Sequence, residues 1–227
     1  MKRVAGLLIA ALASGCTTPS TPVIHEDSLT AGIFLDLGGK AALPEGVALR
    51  PDTPEGLQLT EQSEKFVGHL YDDAADFCTI GYGHLVKYKR CDGTEPAQFL
   101  KGLTLVEGAD WLEKDMGGAQ IAVQMDVKVQ LTDDQFAALC DFVFNVGPSK
   151  FSSSTLLHVI NQKQFDRVPA QMQRWDKAGG QVLPGLKARR DREAALFGKG
   201  QLGEKGAPPE DEDLSEIDIR VGEPQPR

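Results

Sequence analysis

One segment constrains the fold more than any other, residues 132–148. Thr132 and Gln135 form a capping box that opens a helix, and Phe136, Leu139, Cys140 and Val143 then recur at helical spacing. Asn145-Val146-Gly147-Pro148 closes it, because glycine takes the C-terminal position easily and proline cannot continue a helix. A helix with so apolar a face has to be covered, and the chain supplies covers. Thr104 with Glu107 is a second capping box, followed by a stripe of Leu105, Ala109, Leu112 and Met116 on a long helix running toward Val127. Further helices are expected over residues 153–161, 165–175 and 184–197, the last with Pro184 in its first turn. A shorter one is expected from an N-cap at Thr60 through Leu70. Residues 71–91, rich in Gly, Tyr, Ile and Val, read as a β-hairpin or small sheet. The fold class is therefore α+β and predominantly helical, with a small β element near the start of the domain.

The ends of the chain read differently. Lys2-Arg3 precede twelve apolar or small residues, fewer than the ~20 a membrane-spanning helix needs. Residues 1–16 are thus expected to be a signal peptide, and Ala13-Ser14-Gly15-Cys16 resembles a bacterial lipobox with Cys16 as the lipidated residue. Export follows, with a lipid anchor at the periplasmic face of a bacterial membrane, the outer membrane favoured. Residues 17–58 read as a flexible tether, 59–200 as the catalytic domain, and 201–227 as an acidic, disordered, solubilising tail. Of the net charge of −9, the tail carries −5, from 8 acidic and 3 basic residues, and residues 59–200 only −2. No basic stripe exists to meet a phosphate backbone, which argues against nucleic acid as a partner. A monomer is expected.

Beyond Cys16, three cysteines remain. Cys140 falls on the apolar helical stripe and is expected to be buried. Cys78 and Cys91 flank the glycine-rich segment and are either bridged or a pair of reduced thiols. A bridge would close a loop of about 14 residues, contribute roughly 3 kcal/mol, and clamp the neighbouring Thr79. The spacing fits no zinc pattern, so no metal is expected.

The chemistry concentrates between Glu64 and His84. Glu64 lies near the end of a short helix, where the helix dipole favours its protonated form. Asp73 follows nine residues later and Thr79 six after that, so a returning hairpin can bring all three into one cleft. Two carboxyl groups and a hydroxyl suit glycoside hydrolysis, one acid protonating the leaving oxygen while the other carboxylate handles water or the sugar cation. Spacing alone leaves solvated surface charges as the commoner explanation.

Glu64, Tyr71, Asp73 and the run Thr79-Ile80-Gly81-Tyr82-Gly83-His84 resemble the catalytic signature of the phage-type lysozymes, glycoside hydrolase family 24. The resemblance continues through Leu131-Thr132-Asp133-Asp134-Gln135-Phe136, Phe144-Asn145-Val146-Gly147, Ser154-Thr155-Leu156-Leu157 and Ala178-Gly179-Gly180. It extends to Leu183-Pro184-Gly185-Leu186 and the stretch from Arg189-Arg190 to Leu196-Phe197. It implies a lysozyme-like fold and a peptidoglycan substrate, cut at the β-1,4 bond between N-acetylmuramic acid and N-acetylglucosamine without a cofactor. It further implies Glu64 as general acid, with Asp73 and Thr79 activating water and inverting the anomeric carbon. Inversion calls for carboxyls roughly 6.5–9.5 Å apart. A lytic transglycosylase, a wall-binding lipoprotein with a weak or inactive lysozyme fold, and a signal-anchored phage endolysin whose apolar N-terminus holds it inactive until release are the rival readings. The sequence departs from the family pattern at Lys65, Phe66, Asp76 and Leu85; Asp76 replaces a turn glycine but tolerates left-handed backbone.

Neighbouring residues admit two readings each. Tyr82, Gly83 and His84 are candidate substrate-binding residues, against core packing for Tyr82, hairpin relief for Gly83 and a structural hydrogen bond for His84. Trp111 and Trp175 read as core. The Arg189-Arg190-Asp191-Arg192 run reads as a solvated helix face, or else as a site for the peptide carboxylates of the wall.

Overall fold

In a computed structural model the described residues are 42–73, 76–199 and 212–223. The expected signal segment with Cys16, the tether as far as residue 41, and residues 200–211 and 224–227 lie outside them. The elements run α1 (Pro54–Ser63), β1 (Val67–Asp72), β2 (Cys78–Gly81), β3 (His84–Lys87), α2 (Ala97–Leu100), α3 (Leu105–Asp115), α4 (Gly117–Asp126) and α5 (Asp133–Val146). They continue with α6 (Pro148–Ser152), α7 (Thr155–Asn161), α8 (Val168–Gln173), β4 (Lys177–Ala178), β5 (Gln181–Val182) and α9 (Pro184–Gly198).

The helix that most constrains the sequence is the axis of the fold. From Gln135 to Val146 every residue of α5 is buried, and α1, α4, α6 and α9 pack around it. Its capping box is formed as expected, with the Thr132 hydroxyl accepting from the Gln135 N–H and the Gln135 side chain accepting from the Thr132 N–H. Gly147 ends it at φ +94°, a conformation that resists any side chain. Phe142, Phe151 and Trp175 meet edge-to-face in the core, so Trp175 is core as expected.

The small β element is a three-stranded antiparallel sheet in the order β1-β2-β3, placing Tyr71 opposite Thr79 and Asp72 opposite Cys78. Gly81 and Gly83 both take positive φ in the tight β2–β3 turn, and Asp76 adopts the left-handed conformation at φ +61°. Cys78 and Cys91 form a disulfide, and Cys140 is a buried free thiol.

Several expectations are corrected. The first helix begins at Pro54 with Thr53, not Thr60, as its N-cap, and it stops at Ser63, where the chain turns into strand β1. The tether therefore does not reach residue 58. Arg50 already packs over the Phe136 ring and pairs with Asp133 at 2.5 Å, and its N–H donates to Gln124. The long helix after Thr104 breaks at Met116 into α3 and α4, and Leu105 is exposed rather than on the buried stripe.

The acidic tail is not wholly free. Residues 212–223 lie along α8 and the β4–β5 hairpin, with Ile217 and Ile219 buried in the main core. The Ile219 N–H donates to the Lys177 carbonyl at 2.9 Å, while Glu212 pairs with Arg167 and Glu223 with Arg174, each at 2.9 Å. Glu212 and Glu223 are spent on cations of the helical lobe rather than on water.

Candidate active site

Glu64 is the residue at which α1 ends. Its N–H still donates to the Thr60 carbonyl while its own backbone is extended, which turns the side chain away from the helix into the body of the protein. The side chain is 3% exposed, and its Oε1 accepts a hydrogen bond from Arg189 Nη1 at 2.7 Å. Burial raises its pKa; the positive charge of Arg189 works against that rise, and the buried Asp141 adds to it. The outcome is a carboxyl biased toward holding its proton.

Arg189 is fixed by more than Glu64. Its Nε and Nη2 bind the two carboxylate oxygens of Asp141 at 3.0 and 2.7 Å. Asp141 sits in the middle of α5, fully buried. Burial alone would raise its pKa, yet the facing guanidinium holds it below the ordinary range. The same surroundings hold Arg189 above its own ordinary value, with the Asp141 and Glu64 charges outweighing burial. Next to it the buried Arg190 pairs with Glu193 at 3.0 Å and donates to Asn145 at 2.6 Å. The solvated reading of the Arg189–Arg190 pair is thus overturned, and neither guanidinium is free to meet wall carboxylates.

Asp73 is organised by short-range contacts instead. Its Oδ1 accepts the Phe77 N–H at 3.0 Å and its Oδ2 accepts the Thr79 hydroxyl at 3.1 Å. Backbone bonds close the turn around it, from the Asp73 N–H to the Phe77 carbonyl and from the Asp76 N–H to the Asp73 carbonyl. Thr79 is buried on β2. Tyr71, opposite Thr79 in the sheet, links the two carboxyls: its hydroxyl pKa is raised by burial, then by Asp73, then by Glu64. Asp73 and Thr79 are thus joined directly as an oriented carboxylate–hydroxyl pair, and Tyr71 feels the charges of both Asp73 and Glu64.

The remaining candidates divide. Tyr82 is buried against Phe66, with ring centroids 5.2 Å apart, so it packs the core rather than offering a sugar platform. Gly83 relieves the turn. His84 is held between Trp111 and Phe99, with Nδ1 2.9 Å from an Asp115 oxygen. Cys78, Cys91 and Glu95 cluster closely enough for a metal, but the two sulfurs are spent on each other and offer no thiolates. The sequence does not single out Asp141, and it offers Arg189 only as part of a solvated or wall-binding run. The available signal was a lone Asp inside an otherwise apolar helix run, which demands a cationic partner.

Comparison with known proteins places these residues in a wider group. The family model described as Phage lysozyme matches residues 61–193, more than half of the chain. The chain is 38% identical over 122 residues to the endolysin of Bacillus phage PZA, covering 54% of this chain and 44% of that protein, so it spans less than half of that relative's length. It is 30% identical over 166 residues to the SAR-endolysin of Bacteriophage PS119, covering 71% of this chain and 90% of that one. Among solved structures it resembles the muramidase domain of SpmX from Asticaccaulis excentricus, with a TM-score of 0.57, 27% identity and coverage of 65% and 98%.

Proposed function

Because this chain belongs to the phage lysozyme family, we propose that it is a peptidoglycan hydrolase that cleaves the β-1,4 bond between N-acetylmuramic acid and N-acetylglucosamine. The observation that carries the reading is the contrast between two carboxyls. Glu64 is buried and biased toward its acid form, while Asp73 is fixed as an acceptor by the Phe77 N–H and the Thr79 hydroxyl. In this proposal Glu64 protonates the departing glycosidic oxygen. Asp73 and Thr79 hold a water on the opposite face of the sugar and take its proton as it attacks, which inverts the anomeric carbon. Arg189 restrains how far the Glu64 pKa rises, so the acid releases its proton when the leaving oxygen demands it. Gly83 and His84, at the β2–β3 turn, are proposed to line the substrate path.

The test is a zymogram on purified sacculi with Glu64→Gln beside wild type. Loss of the clearing zone is expected, because an amide holds no proton to give, and near-normal clearing by the variant overturns the assignment. Mass spectrometry of the released muropeptides decides the route: hydrated reducing ends are expected, and anhydro ends would make the protein a lytic transglycosylase.

Placement is proposed on separate grounds. Among the described residues no helix is long and apolar enough to cross a membrane. The lipobox-like Ala13-Ser14-Gly15-Cys16 supports acylation at Cys16, and the similarity to a SAR-endolysin supports export to a position beside the sacculus. A net charge of −2 over residues 59–200 gives little pull toward an anionic wall, and an anchor compensates by raising local concentration. Incorporation of a palmitate analogue into wild type but not Cys16→Ser is the expected result; equal labelling of both removes the anchor from the proposal. The monomer expectation is checked by sedimentation of the form lacking residues 1–16.

A further inference from the structure

The Asp73–Thr79 hydrogen bond is 3.1 Å long, near the outer limit for two oxygens, so a small displacement of either residue breaks it. Sheet pairing does little to prevent that. The register slips between Cys78 and Thr79 where β2 meets β3, and again between Val67 and Tyr71 where β1 meets β2. Both irregularities fall beside the residues whose placement matters.

A single residue outside the hairpin holds both sides of it. The Cys91 sulfur is joined to Cys78, the residue before Thr79. The Cys91 N–H donates to Asp72 Oδ1 at 2.8 Å, and Asp72 is the residue before Asp73. Asp72 and Cys78 face each other across β1 and β2, so Cys91 grips a cross-strand pair immediately behind the two functional side chains. The loop that carries Cys91 is itself anchored. Buried Glu95 accepts from the Asp92 and Gly93 N–H groups, each at 2.9 Å, and pairs with Lys87 at 2.6 Å. The Cys78 N–H donates to the Lys89 carbonyl at 2.9 Å, and Arg90 pairs with Asp76 at 2.5 Å at the tip of the β1–β2 turn.

We infer that Cys91 is a positioning residue for the Asp73–Thr79 pair, acting through the disulfide to Cys78 and through its amide to Asp72. The inference rests on the roles proposed for Asp73 and Thr79. A disulfide that only stabilised the fold would raise the melting temperature without affecting turnover in the folded enzyme. A clamp on the water-orienting pair affects the transition state more than substrate binding, so it acts on kcat and spares KM.

The experiment measures kcat and KM on solubilised peptidoglycan well below each variant's melting temperature. Cys91→Ser is expected to lower kcat about tenfold with KM within about twofold. Asp72→Ala keeps the disulfide and removes the amide's acceptor, and it is expected to lower kcat about threefold, whereas Asp72→Asn keeps the acceptor and restores it. Ser154→Ala, which removes the N-cap of α7 far from the hairpin, is the destabilised control with kcat unchanged. Should Cys91→Ser fail to fold, the two Asp72 variants decide alone. Wild-type kcat in folded Cys91→Ser, or equal kcat in Asp72→Ala and Asp72→Asn, overturns the inference. Asp73→Asn and Thr79→Ala, run alongside, keep the two failures apart: their loss of activity leaves the proposed function standing, and their full activity removes it.

Discussion

Two carboxyls nine residues apart are set by opposite kinds of structure. Asp73 is organised by partners four and six residues away, within one hairpin. Glu64 is organised by Arg189, 125 residues away on α9, and through it by Asp141 on α5. The first is a local device made by turn geometry. The second exists only when the helical lobe has closed around it. Short-range polar contacts fix an orientation, whereas burial among distant charges fixes a proton affinity. General acid catalysis needs the second, and orientation of a water needs the first.

The largest break in this contrast comes from Arg189→Met. Removing the guanidinium strands the buried Asp141 carboxylate, and such uncompensated charge costs about 3–5 kcal/mol of stability, measurable by urea unfolding. The same change removes the charge that restrains the Glu64 pKa, so the acid form persists to higher pH. The alkaline limb of the pH–rate profile is therefore expected to move up while the acid limb stays. Movement of both limbs together would mean that the two carboxyls are one coupled system rather than two separately built ones.

What the sequence made legible follows the same division. Both capping boxes, the Gly147-Pro148 stop and the left-handed Asp76 were readable because each depends on neighbours within a few residues. The burial of Arg189 and Arg190 was not, because four charges in a row on α9 look solvated until Asp141, Asn145 and Glu64 are placed against them. The start of α1 is marked in the sequence only by Pro54 at its first turn, inside a stretch of tether-like composition. In the tail the abundant acids mask the informative pair, Ile217 and Ile219, two apart and alternating like a strand that is buried on one side.

That tail gives the next test. Ile217 is part of the helical lobe's core and its N–H donates to the Arg174 carbonyl, outside the hydrogen bonds described for Glu64, so Ile217→Ala tests lobe stability against site chemistry. A cost of about 3 kcal/mol in urea unfolding is expected from the lost burial and the cavity, with kcat unchanged at low temperature. A fall in kcat matching the fall in stability would show that the lobe transmits its packing to Glu64 after all.

The smallest effect expected is also the one that probes how charge is spread beneath α1. Asp52 precedes the N-cap of that helix; its Oδ1 accepts the Thr53 N–H at 2.7 Å, and its buried Oδ2 has no hydrogen-bond partner among the described residues. Burial pushes its pKa up to about 7; the Thr53 N–H opposes the rise, Asp141 adds to it, Arg50 opposes it, and Glu113 adds a last increment. A carboxyl raised in the folded state binds its proton more tightly there than in the unfolded chain. Its contribution is therefore intact at pH 4 and is lost as pH climbs toward 7. Asp52→Asn keeps the acceptor for Thr53 but cannot ionise, so it escapes that loss. Its stability should match wild type at pH 4 and exceed it at pH 8 by about 2 kcal/mol, a figure discounted for the side chain's partial exposure. Glu64 and its alkaline limb should not follow, because the groups that set them are burial, Arg189 and Asp141. Parallel stability curves for the two proteins would place the titration elsewhere in the lobe, with Glu193, whose pKa burial raises well above the ordinary range, as the next residue to replace.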